Sequence, residues 1–195
     1  MKQYFHENDA LPANELKISV EKFGQNFTFF TRRGLFSYNE VDANSLLLVE
    51  KIPKITGKLL DLGCGYGAVG IMLAKINPCV NLTGCDINRI ALSMAAKNAK
   101  VNGVEAEYLY SDCFDGVSGL YDNIALNPPI HAGKDVVYKM FVQAKEHLTP
   151  DGAFYIVIHK KHGAESALRY LSDIYRKCDV VYKKKGVYMV ECKQV

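Results

Sequence analysis

KLLDLGCGYGAVG, residues 58–70, is an apolar run that breaks into a glycine-rich turn and resumes with helical spacing. Glycine suits such a turn because positive φ is needed there, and because a ligand must reach the backbone with no Cβ in the way. The segment therefore predicts a buried strand, a ligand-cradling turn and a helix. Read as Gly65-x-Gly67-x-x-Gly70 it also satisfies the dinucleotide fingerprint, with Asp86 about 20 residues further on.

Outward from this turn, short apolar runs alternate with helical-period segments, the pattern of βαβ units laying down a mainly parallel sheet. Strands are predicted at 58–62, 80–85, 105–110, 121–126, 152–158, 179–184 and 187–193, with helices near 67–76, 88–102, 134–148 and 163–177. Asn102-Gly103 reads as a left-handed helix stop and Thr149-Pro150-Asp151-Gly152 as a turn. The connection Lys185-Gly186 is too short for a crossover helix, so the last two strands form an antiparallel hairpin. The expectation is a doubly wound α/β fold whose mainly parallel seven-stranded sheet carries one antiparallel strand at the C-terminal hairpin. Residues 58–195 form that domain. Residues 1–57 read as an extension packed on it: a β-hairpin of Leu16–Val20 and Asn26–Phe30 around Phe23-Gly24-Gln25, then a helix from about Asp42 to Lys51 capped by Asp42 or Asn44.

The chain has 195 residues, 49% of them hydrophobic and 23% charged, a globular composition that argues against disorder. No apolar run is long enough to span a bilayer, and MKQYFHENDALPANE has acids where a signal peptide needs its apolar segment. A cytoplasmic location follows as an expectation. Cys64, Cys79, Cys85, Cys113, Cys178 and Cys192 show no metal-type spacing, so no metal site is expected and all six read as reduced, packed thiols. A net charge of +3 permits a polyanionic partner without requiring one.

The acids near the predicted carboxyl ends of strands narrow the ligand. Asp61 would be an awkward neighbour for a pyrophosphate but suits a cationic amino-acid ligand, and S-adenosylmethionine carries an ammonium, a sulfonium and no phosphate. Asp86 can accept from two ribose hydroxyls. Asp112, after the third strand, can take an adenine amino group while Ile87 and Cys113 sandwich the ring, since ligands of open α/β sheets sit outside the carboxyl ends of the strands. The bland alternative makes these acids loop or capping residues.

After the fourth strand comes Asn127-Pro128-Pro129-Ile130-His131-Ala132-Gly133-Lys134. Two prolines fix the backbone and remove two N–H donors, leaving carbonyls for a ligand. The Asn127 carboxamide oxygen and the Pro128 carbonyl form a pair of acceptors for an exocyclic amine, aiming its lone pair at a methyl sulfonium by placement and electrostatics. A rigid strand-to-helix turn is the structural alternative. His131 reads equally as a substrate contact or a polar cap. Arg32-Arg33, Lys160-Lys161-His162 and Lys183-Lys184-Lys185 are candidate phosphate contacts or simply solvated faces.

DLGCGYG followed by NPP resembles the class I methyltransferases, and NPPIHAGK with the upstream GLFSYNEVDANSLLL is similar to the small-domain ribosomal RNA guanine N2-methyltransferases. The resemblance covers about residues 15–195. It implies that Asp61, Gly63, Cys64, Gly65, Gly67, Asp86, Ile87, Asp112, Cys113 and Asn127 hold S-adenosylmethionine and that Asn127, Pro128 and Pro129 present the target amine. Phe36, Ile130, His131 and Lys134 are then the expected substrate contacts. Ile130 replaces an aromatic residue found after NPP in many relatives, so stacking on the flipped base is expected to be weaker or to come from elsewhere, with Phe36 as the candidate. Larger members carry a further amino-terminal domain of similar fold with no counterpart in these residues, which leaves a monomer or a homodimer as the expected state. Small-subunit ribosomal RNA is the implied partner. Adenine N6 and glutamine amide methylation are rivals of the same chemistry; a nicotinamide oxidoreductase and a non-catalytic RNA-binding module are rivals of other classes.

Overall fold

Leu59 and Leu60 are adjacent in sequence and buried in different cores. Side chains of a strand alternate between faces, so an all-apolar strand predicts a sheet covered on both sides. The computed structural model describes residues 15–194 and has that architecture. Residues 1–14, which carry most of the stretch behind the export expectation, lie outside the described residues.

The hairpin β1 (Glu15–Lys22) and β2 (Gln25–Arg32) precedes helix α1 (Ala43–Lys51). Strand β3 (Gly57–Leu62), helix α2 (Ala68–Ile76), β4 (Val80–Asp86), α3 (Arg89–Val101) and β5 (Ala106–Tyr110) build one half of the main sheet. The other half comes from β6 (Tyr121–Leu126), α4 (Lys134–Glu146), β7 (Leu148–His159), α5 (Ala164–Ile174), β8 (Lys177–Lys184) and β9 (Val187–Lys193). The strand order is β5-β4-β3-β6-β7-β9-β8. Only β9 opposes its neighbours, inserted between β7 and the edge strand β8. On one face, α1, α2, α3 and the β1–β2 hairpin bury Phe27, Phe29, Leu48, Leu59 and Ile71; on the other, α4 and α5 bury Leu60, Phe141, Phe154 and Leu171. Chain order reverses between β3 and β6, and the crevice above that reversal is where a doubly wound sheet takes its ligand.

The hairpin is fastened by two asparagines one helical turn apart. Asn98 accepts from the Phe30 N–H at 2.6 Å and donates to the Phe30 carbonyl at 2.8 Å; Asn102 does the same with Thr28 at 3.0 and 2.7 Å. Their carboxamides act as a surrogate strand against the edge of β2, satisfying backbone groups that would otherwise be orphaned. The loop after β2 is thereby set over the sheet's carboxyl rim.

Three expectations need correction. Thr149–Gly152 does not precede β7 but lies within it: Tyr121 pairs with Leu148 and Asn123 already with Ala153, so the turn residues bulge out of a continuous strand. Helix α5 stops at Ile174 and β8 begins at Lys177, earlier than expected, because the buried Tyr175 swings into extended backbone and its hydroxyl donates to the Phe141 carbonyl at 2.9 Å. Finally, Cys178 and Cys192 are joined in a disulfide rather than held as separate thiols. The β8–β9 register sets them directly opposite with Cα atoms 4.2 Å apart, a proximity invisible in a spacing of 14 residues. Cys64, Cys85 and Cys113 are buried free thiols, while Cys79 is exposed.

Candidate active site

A cavity of about 290 Å³ opens above the β3–β6 reversal. Gly63, Cys64 and Gly65 line it from the β3 turn, Asp86 and Ile87 from β4, Asp112 and Cys113 from β5, and Asn127, Pro128 and Pro129 from β6. Leu35 and Phe36 of the loop after β2, with Asp42 and Ser45 of α1, complete the wall.

The glycine turn divides by task. Gly63 and Gly65 hold φ of +67° and +55°, and a Cβ at either would meet only open space, so the cradle is clear for a ligand to approach. Gly67, expected as a ligand contact, is not among the residues that line the cavity. It starts α2, and a Cβ there would strike Ile71, Ala95 and the Tyr108 hydroxyl; Gly70 is likewise pressed against Leu82 and Asp61. These two glycines let α2 pack closely on the sheet.

Asp61 is 3% exposed and accepts from the Gly70 N–H at 2.8 Å. Burial raises its carboxyl to about 7; the Gly70 hydrogen bond opposes the shift, and the charge of Asp86 adds to it. An anion so desolvated calls for a cation. Asp86 is also raised by burial, against the hydrogen bonds of Asn88, Gly65 and Ile87. The Gly65 N–H donates to its Oδ2 and the Asn88 N–H to its Oδ1, each at 2.8 Å, and beside these and the Ile87 N–H the carboxylate keeps acceptor capacity for a hydroxyl. Around Asp112 the backbone turns sharply, with Cys113 at φ +51° and the Ser111 hydroxyl donating to the Cys113 carbonyl at 2.8 Å. Burial pushes the thiol of Cys113 to about 11, so it lines the cavity as a neutral apolar group.

Asn127 shows what sequence reasoning missed. Its Nδ2 donates to Asp42 Oδ2 and to Ser45 Oγ, both at 3.0 Å. Asp42 caps α1 with the same oxygen, accepting from the Ser45 N–H at 2.9 Å. With its nitrogen committed twice, the carboxamide has one orientation, and no donor among the described residues occupies its Oδ1. Asp42 was legible as a cap; nothing in the local pattern tied it to a residue 85 positions away.

The other predicted substrate residues separate. Phe36 stands at the cavity wall, 49% exposed. Ile130, His131 and Lys134 do not line this cavity: Ile130 and His131 lie in a 3-10 turn that leads away from it, and Ile130 and Lys134 border a second cavity instead. The charged clusters fall on the same rim. The Lys160 N–H donates to the Gly186 carbonyl at 2.6 Å, joining the turn Lys160–His162 at the end of β7 to the hairpin turn after Lys183-Lys184-Lys185. The rim therefore carries carboxylates over β3, β4 and β5, cations over β7, β9 and β8, and Asn127 at the boundary. Arg33 is exposed one residue before the loop that walls the cavity.

A seven-stranded sheet of this order, a glycine turn on its first parallel strand and Asn-Pro-Pro on its fourth define a Rossmann-like methyltransferase. The chain belongs to the methyltransferase small domain family, whose profile matches residues 26–191. It is 38% identical over 197 residues to the uncharacterized protein YbxB of Bacillus subtilis, covering 98% of both chains. It is 36% identical over 156 residues to ribosomal RNA small subunit methyltransferase C of Vibrio vulnificus, covering 78% of this chain and 44% of that protein. The structure of the T. thermophilus 16S rRNA N2 G1207 methyltransferase RsmC, in complex with AdoMet and guanosine, superimposes with a TM-score of 0.85 at 26% identity, over 97% of this chain and 53% of that one. The chain thus matches YbxB from end to end and spans about half the length of the two methyltransferases.

Proposed function

We propose that this chain transfers a methyl group from S-adenosylmethionine to the N2 amine of a guanine in small-subunit ribosomal RNA. The observation that carries the reading is the fixed carboxamide of Asn127, its nitrogen held by Asp42 and Ser45 and its oxygen left for a ligand at the cavity between the acidic and basic halves of the rim.

The residues present fit the cofactor. Asp61 is a buried carboxylate in want of a cation, Asp86 has lone pairs for a ribose, Asp112 faces the same cavity, and Gly63 and Gly65 leave the backbone open. When bound, the cofactor supplies a methyl group activated by its sulfonium charge. Asn127 Oδ1 and the second lone pair of the Pro128 carbonyl, which already accepts from the Ile130 N–H at 2.9 Å, then accept the two hydrogens of the base amine, which concentrates electron density on nitrogen and points its lone pair at that methyl. Phe36 offers a face for the base. The amine becomes acidic once alkylated and releases its proton to water, so a strong base is not needed.

The RNA part rests on the cations over β7, β9 and β8, and guanine N2 is favoured by what the Thermus protein is named to modify. A cytoplasmic site of action accords with that substrate, and no helix among the described residues is long and apolar enough to cross a membrane. Mass spectrometry of ribosomal RNA from cells with and without this protein tests the reading. One N2-methylguanosine should vanish with the protein; loss of N6-methyladenosine instead, or unchanged RNA with a methylated glutamine lost from digests of cellular protein, would replace it.

A further inference from the structure

A second cavity, of about 190 Å³, lies beside the catalytic turn, between the first turns of α4 and α5. Its walls are Ile130, Lys134, Tyr138, His162, Gly163 and Ser166, over a floor that includes the buried Ile158 and Ala167. Resting on the methyl-transfer reading above, we propose that this cavity is a second nucleotide pocket, which receives the base next to the target in the RNA strand.

The pocket follows the active site directly along the chain. Pro129 lines the main cavity and Ile130, the next residue, lines this one, so a strand leaving the first meets the second across a single rigid step. Its charge also suits a nucleotide. Among the described residues no carboxylate lines the pocket, Lys134 and His162 stand in its wall, and Lys160 and Lys161 are exposed beside it. The nearest acids in sequence are Asp135 and Glu165, and Glu165 pairs with Lys160 at 3.4 Å and receives the Tyr188 hydroxyl. Desolvation, then the neighbouring Lys161, His159 and His131, moves His162 below the ordinary histidine range.

The lining is that of a base site. Val137, Ile158 and Ala167 give the apolar flanks a base ring prefers; the Ser166 hydroxyl donates to the Gly163 carbonyl at 2.9 Å and accepts from the Tyr138 hydroxyl at 3.4 Å, a long contact whose donor can turn to a base edge and leave the serine oxygen as an acceptor. Lys134 Nζ lies 4.9 Å from the Tyr138 ring centre, close enough to reach a phosphate at the mouth. Small residues at Gly163, Ser166 and Ala167 keep the space open, and the methyl-transfer chemistry uses none of them.

The test uses methylation kinetics on free guanosine and on a short guanine-containing oligonucleotide, for the wild type, Ser166→Leu and Ser166→Ala. Leucine should block the pocket and raise KM for the oligonucleotide about tenfold at unchanged kcat, leaving the guanosine reaction as in the wild type, while alanine, which keeps the space and removes one hydroxyl, should raise that KM only about two- to threefold. The unchanged guanosine rate also certifies the fold of the leucine variant. Equal effects on both substrates, or none on the oligonucleotide, would overturn the pocket while leaving methyl transfer standing. If wild type methylates neither substrate, the parent reading fails and the pocket with it. A 2-aminopurine placed on either side of the target guanine should change its fluorescence on binding wild type and not Ser166→Leu.

Discussion

Asp42 Oδ2 lies 3.0 Å from Asn127 Nδ2, and it is the same oxygen that caps α1 through the Ser45 N–H. The helix start that closes the amino-terminal segment therefore also sets which end of the Asn127 carboxamide faces the cavity. Removing the carboxylate frees the amide to rotate and to offer a hydrogen-bond donor where an acceptor is needed.

Asp42→Ala is accordingly expected to lower kcat by about 10²-fold, with cofactor affinity retained, and to cost about 1 kcal/mol through the missing cap. Asp42→Asn keeps an acceptor for both donors and should recover most of the activity. Steady-state kinetics with calorimetric cofactor binding separates the two. Equal activity in Asp42→Ala and wild type would show that the amide needs no support.

Asp61 gives a pH dependence. Its folded value of about 7 exceeds the ordinary 3.8, so the ligand-free native state holds a proton that the unfolded chain has released. Its contribution to stability is full below about pH 4 and disappears as pH rises through about 7. A bound ammonium reverses the preference by stabilising the carboxylate. Cofactor affinity should therefore rise between pH 6 and about 8 with proton release on binding, measurable by titration calorimetry in two buffers of different ionisation enthalpy. Asp61→Asn, which keeps an oxygen for the Gly70 N–H, should bind weakly and show no such pH dependence.

Gly70→Ala would put its Cβ 2.7 Å from Leu82 Cδ1 and 3.0 Å from Asp61 Cβ and Oδ2. Overpacking of this kind destabilises by about 1–3 kcal/mol, and here it also presses on a ligand-binding carboxylate. Chemical denaturation and cofactor titration should both register the change, whereas Gly103→Ala, at a left-handed position with open space around it, should affect stability alone.

Replacement of Lys160, Lys161, Lys183 and Lys184 by alanine should weaken RNA binding and flatten its salt dependence by roughly 0.7–0.9 in slope for each phosphate no longer neutralised. Cofactor affinity should not move, because the cofactor cavity lies over the other half of the sheet. Binding isotherms at several salt concentrations check both.

The legible parts were those with a local cause. The glycine turn announced its strand and helix because positive φ and an open backbone leave few residue choices, and Lys185-Gly186 dictated a hairpin because so short a connection allows nothing else. The three carboxylates could be placed at one rim because parallel strands bring their carboxyl ends together. What escaped were relations made by the fold alone. Asn102 read as a helix end and, together with Asn98, acts as a dock for β2; Cys178 and Cys192 read as separate thiols until the register paired them. Gly67 matched a ligand fingerprint, yet its environment is packed.

The proposed function turns on Asn127 receiving the exocyclic amine of a guanine. Methyl-labelled S-adenosylmethionine, offered with RNA carrying guanosine or, at the same position, inosine, tests it most directly, because inosine lacks only the N2 amine. The expected result is N2-methylguanosine in the first RNA, no label in the second, and a drop of roughly two orders of magnitude in Asn127→Ala with cofactor binding kept. Label in the inosine RNA, or an active Asn127→Ala, would contradict it.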